Sequence, residues 1–320
     1  MTLRLLARRL GLGRIALTLW HQPLARIRDS WRNGGPWAER ETERQRREMV
    51  AAAATLPPLP VRAGAPRVTL HLLTGRRFGY QAAFCLHSFA RHADVNLAAE
   101  LYDDGTCGDD VVALLGRLGP DIRFHPLAEQ EARLEALLPA ARFPALRDRW
   151  QHYPNIRKLI APHLGSSGWK LVIDSDLLFF RRPDFLLQWL REPDRPLHAV
   201  DCEESYGYSR ELMAGLAGAP IPLLVNVGLC GLRSEDLDWN RIEAWCAELI
   251  ARESTSYYLE QALVAMLVAS APTRAVAPAG DYVTKPDRAE GARPTAVMHH
   301  YVAESKRSYF RDSWRLTIAP

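Results

Sequence analysis

Between Arg67 and Ile173, short β-rich apolar runs alternate with stretches of helical period, and this alternation restricts the fold more than any other feature. Val68-Thr-Leu-His-Leu-Leu73 reads as a strand ending at the Thr74-Gly75 turn, followed by helical spacing over Tyr80–Phe89. Leu97–Tyr102 reads as a second strand, ending in Asp103-Asp104-Gly105; a helix over Asp110–Leu118 and a strand over Ile122–His125 follow. Ala128–Leu138 and Asn155–Leu164 have helical character, and after the Gly165-Ser-Ser-Gly168 turn Leu171-Val-Ile173 is an apolar strand. Helices alternating with short buried strands predict an α/β domain, a largely parallel sheet covered on both faces. In such sheets ligands bind at the carboxyl ends of the strands. That rule singles out Thr74, Asp103, Asp174, the segment after Val200, and Asn226. Neither an internal repeat nor a low-complexity tract is present, so residues 61–320 are expected to form one domain.

The positive charge is concentrated at one end. Residues 1–50 hold 11 Arg and 5 acids, which leaves 41 − 11 = 30 bases against 37 − 5 = 32 acids in the remainder. A nearly neutral body argues against nucleic acid as a partner. Leu5, Leu6, Leu10, Ile15 and Leu19 lean toward one helical face with arginines between them. A helix on an anionic membrane surface and a helical extension packed on the body both fit that pattern. Arg14 breaks the apolar part, and no small-residue cleavage site follows, unlike a signal peptide. Leu56-Pro-Pro-Leu-Pro60 reads as a stiff linker, so a basic helical extension over 1–60 is expected to precede the main domain. Five widely spaced cysteines without a Cys-x-x-Cys pair fit a reduced compartment. No apolar run reaches the ~18 residues of a membrane span. A cytoplasmic protein, peripheral at the inner membrane face if the basic end binds lipid, is the location expected.

Leu171-Val-Ile-Asp-Ser-Asp-Leu-Leu-Phe-Phe180 is the most informative segment. Asp174 and Asp176 are two residues apart, so in extended backbone their carboxylates project to the same side. Two carboxylates held together in a partly desolvated place repel unless a proton or a cation intervenes. A hard divalent cation resolves that conflict and can also hold a diphosphate. A turn whose aspartates cap the next helix or face water is the competing explanation of the same spacing.

Strand, Asp-Ser-Asp and apolar run together resemble the Asp-x-Asp motif of GT-A fold glycosyltransferases, which use a nucleotide-sugar donor with Mn²⁺ or Mg²⁺. Four further segments resemble, in order, motifs of the retaining family 8 group that includes glycogenin and bacterial lipooligosaccharide galactosyltransferases. These are Ile156-Arg-Lys-Leu159, Val225-Asn-Val-Gly-Leu229, Glu260-Gln261, and His300-Tyr-Val-Ala-Glu-Ser-Lys306. The resemblance spans roughly residues 67–310. It implies a GT-A domain, a donor that is a UDP-sugar, and transfer to a glycan, lipid or protein hydroxyl, with retention.

By the same resemblance His300 is the third metal ligand beside Asp174 and Asp176, and imidazole with two carboxylates suits Mn²⁺. His299 is its rival, because a strand over Ala296–His300 points the two rings to opposite faces. Lys306 is placed at the diphosphate, although Ala303 stands where the family has glycine and Arg307-Ser308 where it has Pro-Trp. Lys158 is assigned to donor phosphate or sugar hydroxyls, with only one of Arg157 and Lys158 pointing inward. Asn226 and Gly228 are expected to meet the donor sugar, and Ser175, between the two acids, joins the donor-binding set. Thr74, Gly75, Tyr80 and Asp103 are expected to meet the nucleotide, with Tyr80 stacking on the base and Asp103 or Asp104 accepting from uracil or ribose. Glu260 and Gln261 lie on the β-face of the donor sugar in the family. Glutamine is a poor nucleophile, which implies front-face departure and attack. Asp201, in the acidic loop after Leu197–Val200, would be the base of an inverting enzyme instead. A sugar-phosphate nucleotidyltransferase would need a glycine-rich basic loop after the first strand, of which Thr74-Gly-Arg-Arg-Phe-Gly79 is a poor version. A non-catalytic glycan-binding relative is the third reading.

Overall fold

A computed structural model describes residues 35–318. The amphipathic pattern at Leu5–Leu19 therefore lies outside the described residues. Residues 50–318 belong to one compact unit and residues 35–49 to another. Helix α1 (Gly35–Ala53) begins in the latter and carries there a ladder of pairs three and four residues apart, with Arg44 between Glu41 and Glu48 at 2.5 Å each. Such exposed pairs add only a few tenths of a kcal/mol each, ~0.3–0.5.

The large unit runs β1 (Arg67–Thr74), α2 (Gly79–His92), β2 (Asn96–Asp103), α3 (Asp109–Gly116), β3 (Ile122–His125) and α4 (Leu127–Leu137). It continues α5 (Pro144–His152), α6 (Ile156–His163), β4 (Trp169–Ile173), β5 (Leu177–Phe179), α7 (Asp184–Arg191), β6 (Leu197–Val200) and α8 (Arg210–Ala217). The last part is β7 (Val225–Arg233), α9 (Trp239–Glu253), α10 (Leu259–Ser270), β8 (Ala275–Val276), β9 (Tyr282–Thr284), α11 (Arg288–Ala292) and β10 (Met298–His300). The main sheet has the order β3-β2-β1-β4-β7-β6-β8. Its first four strands are parallel neighbours, whereas β7 runs antiparallel to both β4 and β6. The α/β expectation holds, with a mostly parallel sheet.

Two features of this topology build the cleft. A second, three-stranded sheet (β5-β10-β9) pairs His300 with Leu177, the residue directly after Asp176. Antiparallel pairing of β4 with β7 sets Ile173 opposite Leu229, and Asp174 N–H donates to Gly228 O at 2.8 Å. Helix α10 is buried from Leu259 to Ala269 and apolar on every side beyond Gln261. A helix of that kind belongs in the core, and its first turn brings Glu260 and Gln261 to the floor of the cleft. The proline-rich segment lies along the domain: Leu59 N–H donates to Leu118 O at 2.7 Å, and Leu56 and Leu59 are buried.

Candidate active site

Asp174 and Asp176 follow β4, and His300 ends β10. One ligand atom from each lies within 4.8 Å of the others. Ligands ~2.1 Å from one small divalent ion stand no more than ~4.2 Å apart, so slight closure suffices. His300 Nε2 is 3.6 Å from Asp174 Oδ2 and 3.4 Å from Asp176 Oδ1. His299 points away, its Nε2 on Glu290 Oε1 and its Nδ1 on Tyr301 Oη, both at 2.8 Å. Burial works against the Asp176 carboxylate, but hydrogen bonding from His300 and the charge of Lys306 hold its pKa well below the usual range.

Each acid has its own lysine. Lys158 Nζ is 2.8 Å from Asp174 Oδ1, and Lys306 Nζ is 3.0 Å from Asp176 Oδ2. Burial opposes charge on Lys158, but Asp174 and Glu260 together raise its pKa. Arg157 turns the other way and donates to the carbonyls of Asp104 and Trp150. Glu260, 3.9 Å from Lys158, is buried, and desolvation pushes its carboxyl up to about 7 despite that lysine. Lys158 lies nearer Asp174 than Glu260, and the negative charge of Asp174 adds to the rise at Glu260.

Gln261 Nε2 donates to Asp201 Oδ2 at 2.9 Å and to Val225 O at 3.0 Å. Both amide hydrogens are thereby used, so the orientation of the Gln261 amide is fixed. Asn226 Oδ1 accepts from Gly228 N–H at 2.8 Å and stands 3.1 Å from His300 Nδ1. A Cβ at Gly228 would run into the His300 ring. The glycine therefore makes room for His300, in addition to any room it leaves for a ligand.

A cleft of about 680 Å³ gathers these groups, within the range usual for small-molecule sites. Among the expected residues, Asp174, Ser175, Asp176, Lys158, Asn226, Gly228, Asp201, Glu260, Gln261, His300 and Lys306 line it. Thr74, Gly75, Tyr80 and Asp103 do not. The Asp103 carboxylate is turned onto the amides of Gly105, Thr106 and Cys107. Its neighbour Asp104 reaches the cleft instead, and a Cβ at Gly75 would collide with that carboxylate. Tyr80, in the first turn of α2, is buried, whereas Phe78, one residue ahead of the helix, lines the cleft with Arg77. The sequence signal for Phe78 is an aromatic directly ahead of a helix start.

No protein-family model matches the chain, and no curated protein matches it by sequence. Its fold is similar to that of mouse xyloside xylosyltransferase 1 in apo form, with a TM-score of 0.51 and 14% identity over 73% of this chain and 97% of that one. More distant structures include galactosyltransferase LgtC in complex with donor and acceptor sugar analogues, at TM-score 0.48 and 12% identity over 79% and 97%. The WbbM bifunctional glycosyltransferase is similar at 0.49 and 13%, over 77% of this chain and 47% of that one. The chain has the GT-A fold.

Proposed function

We propose that the chain is a metal-dependent glycosyltransferase that moves a sugar from a UDP-sugar donor to an acceptor hydroxyl with retention. The observation that carries this reading is the convergence of Asp174, Asp176 and His300 at the strand ends of a GT-A fold, each acid backed by a lysine. Two carboxylates and an imidazole suit Mn²⁺, with Mg²⁺ as the alternative. Such an ion would supply charge neutralisation for the departing diphosphate.

The protein's own groups would do the rest. Lys306 and Lys158 exchange their carboxylate contacts for phosphate and donor oxygens as the donor enters. Phe78 takes the place at the nucleotide end for which Tyr80 was the candidate, and of the pair Asp103 and Asp104 it is Asp104 that serves there. Asn226 holds His300, and Gln261, fixed by Asp201, presents an amide where a covalent enzyme would need a nucleophile. The reaction that fits this is front-face substitution. The anomeric C–O bond to the diphosphate breaks, the acceptor oxygen bonds the same face, and the acceptor proton leaves on the diphosphate oxygen.

Residues 61–320 would form the catalytic domain, and the basic residues 1–50 a peripheral contact with anionic lipid at the cytoplasmic face. No helix among the described residues is long and apolar enough to cross a membrane. Equal, weak binding of the full chain and of a chain lacking residues 1–60 to anionic vesicles would remove the lipid part. The enzymatic reading is tested by UDP release from a panel of UDP-sugars with Mn²⁺. Turnover of at least one donor, lost in Asp174→Asn, is expected; no turnover of any UDP-sugar would contradict it.

A further inference from the structure

The proposed transfer leaves the class of acceptor open, and one wall of the cleft bears on it. Tyr257 lines the cleft with 73% of its surface in water, and the adjacent Tyr258 is 40% exposed. A large aromatic left in solvent along a cleft marks a place where a partner is expected.

The backbone is built to hold it there. Ser254, at the end of α9, has φ 73° and ψ −179°, a region that only glycine occupies without strain. The segment beyond it is tied down at several points. Tyr153 Oη donates to Tyr257 O at 2.5 Å, and Tyr258 N–H donates to Ser256 Oγ at 3.1 Å. The rings of Tyr153 and Tyr258 stand nearly perpendicular to Tyr257, with centroids 6.5 and 5.3 Å away. Gly207, at φ 68°, leaves the space that Ser256 fills. Strain and anchoring spent on an exposed ring suggest a binding surface.

The charge in the same cleft restricts what binds. Asp201 and Glu203 line the same cleft as Tyr257. Lys285, one of the cations that line the cleft, is bound to Glu304 at 2.9 Å, and Lys158 and Lys306 are bound to Asp174 and Asp176. Carboxylates accept hydrogen bonds from hydroxyl and ammonium groups and repel anions. An aromatic face for C–H groups with carboxylates for hydroxyls describes a pyranose subsite.

We propose that Tyr257 is the stacking platform of the acceptor subsite, and that the acceptor is a sugar residue carrying no negative charge. This rests on the transferase reading for its role but not for its measurement. Saturation-transfer NMR on the full chain would use lactose, cellobiose, glucosamine and glucuronate as probes, with UDP plus Mn²⁺ titrated in parallel. The neutral sugars and glucosamine should receive saturation at their ring C–H protons, and glucuronate little. Tyr257→Ala should weaken that signal about fivefold or more while UDP binding is kept, and Tyr257→Phe should retain it. Equal sugar signals in Tyr257→Ala, no signal from any probe, or a preference for glucuronate would overturn the proposal. Loss of UDP binding in Tyr257→Ala would overturn it too, since the ring would then serve the nucleobase. Tyr257-dependent sugar binding by a chain that never binds UDP would uphold the platform and contradict the donor reading.

Discussion

His300 Nδ1 stands 3.1 Å from Asn226 Oδ1, and the same oxygen accepts the Gly228 N–H at 2.8 Å. Because a backbone N–H can only donate, the amide of Asn226 must present its oxygen, and the imidazole must carry its proton on Nδ1. Nε2 is then the atom that faces Asp174 and Asp176 with a free lone pair when the ring is neutral.

Asn226→Ala should therefore weaken Mn²⁺ binding by ~10–100-fold, the cost usual for losing a group that orients a ligand. Burial lowers the His300 pKa, but the hydrogen bond and charge of Asp176 raise it further, leaving it above the ordinary value of 6.5. A proton then competes with the ion for Nε2, so affinity should fall as pH drops, by up to ~tenfold per unit below that pKa. Titrations in buffers of different ionisation enthalpy check this by detecting the released proton.

Glu260 gives a pH dependence of stability in the metal-free chain. Burial disfavours the charge and pushes its carboxyl from the ordinary 4.5 up to about 7 in the fold. Between those values the unfolded chain binds fewer protons than the native one, so stability falls as pH rises through the window. The full effect is on the order of 3 kcal/mol above pH ~7. Glu260→Gln should remove that slope. Denaturant midpoints of both proteins at pH 5 and 8 isolate the contribution, because His300 affects both equally; parallel profiles would show that Glu260 is not the source.

Ala303 occupies φ 47°, where a side chain is strained. It stands at the glycine position of the His-x-x-Gly-x-x-Lys pattern, so the loop keeps the glycine conformation without the glycine. Ala303→Gly should stabilise the protein by up to ~1 kcal/mol. Thermal unfolding measures it; a lower melting temperature would mean that the conformation costs nothing.

The sequence made the chemistry of this cleft legible where it depends on local parity. Asp174 and Asp176 share a side because they are two residues apart, and His299 and His300 divide because they are adjacent. Parity could not choose between Asp103 and Asp104. That choice was made by the turn, which takes the Asp103 carboxylate for its own amides. The pairing of β7 with β4 and the pairing of His300 with Leu177 join residues more than fifty positions apart. Spacing along the chain carries no trace of them. Gly228 was legible as a position needing room, but its occupant, the His300 ring, is set by that distant pairing.

The most direct measurement of the central claim is calorimetric titration of UDP with and without Mn²⁺, on the native protein and on Asp176→Asn. Lys306 and His300 both converge on Asp176, so the account predicts UDP binding that requires Mn²⁺ and falls by at least ~tenfold in the variant. UDP binding that ignores Mn²⁺, or that is unchanged in Asp176→Asn, would contradict it.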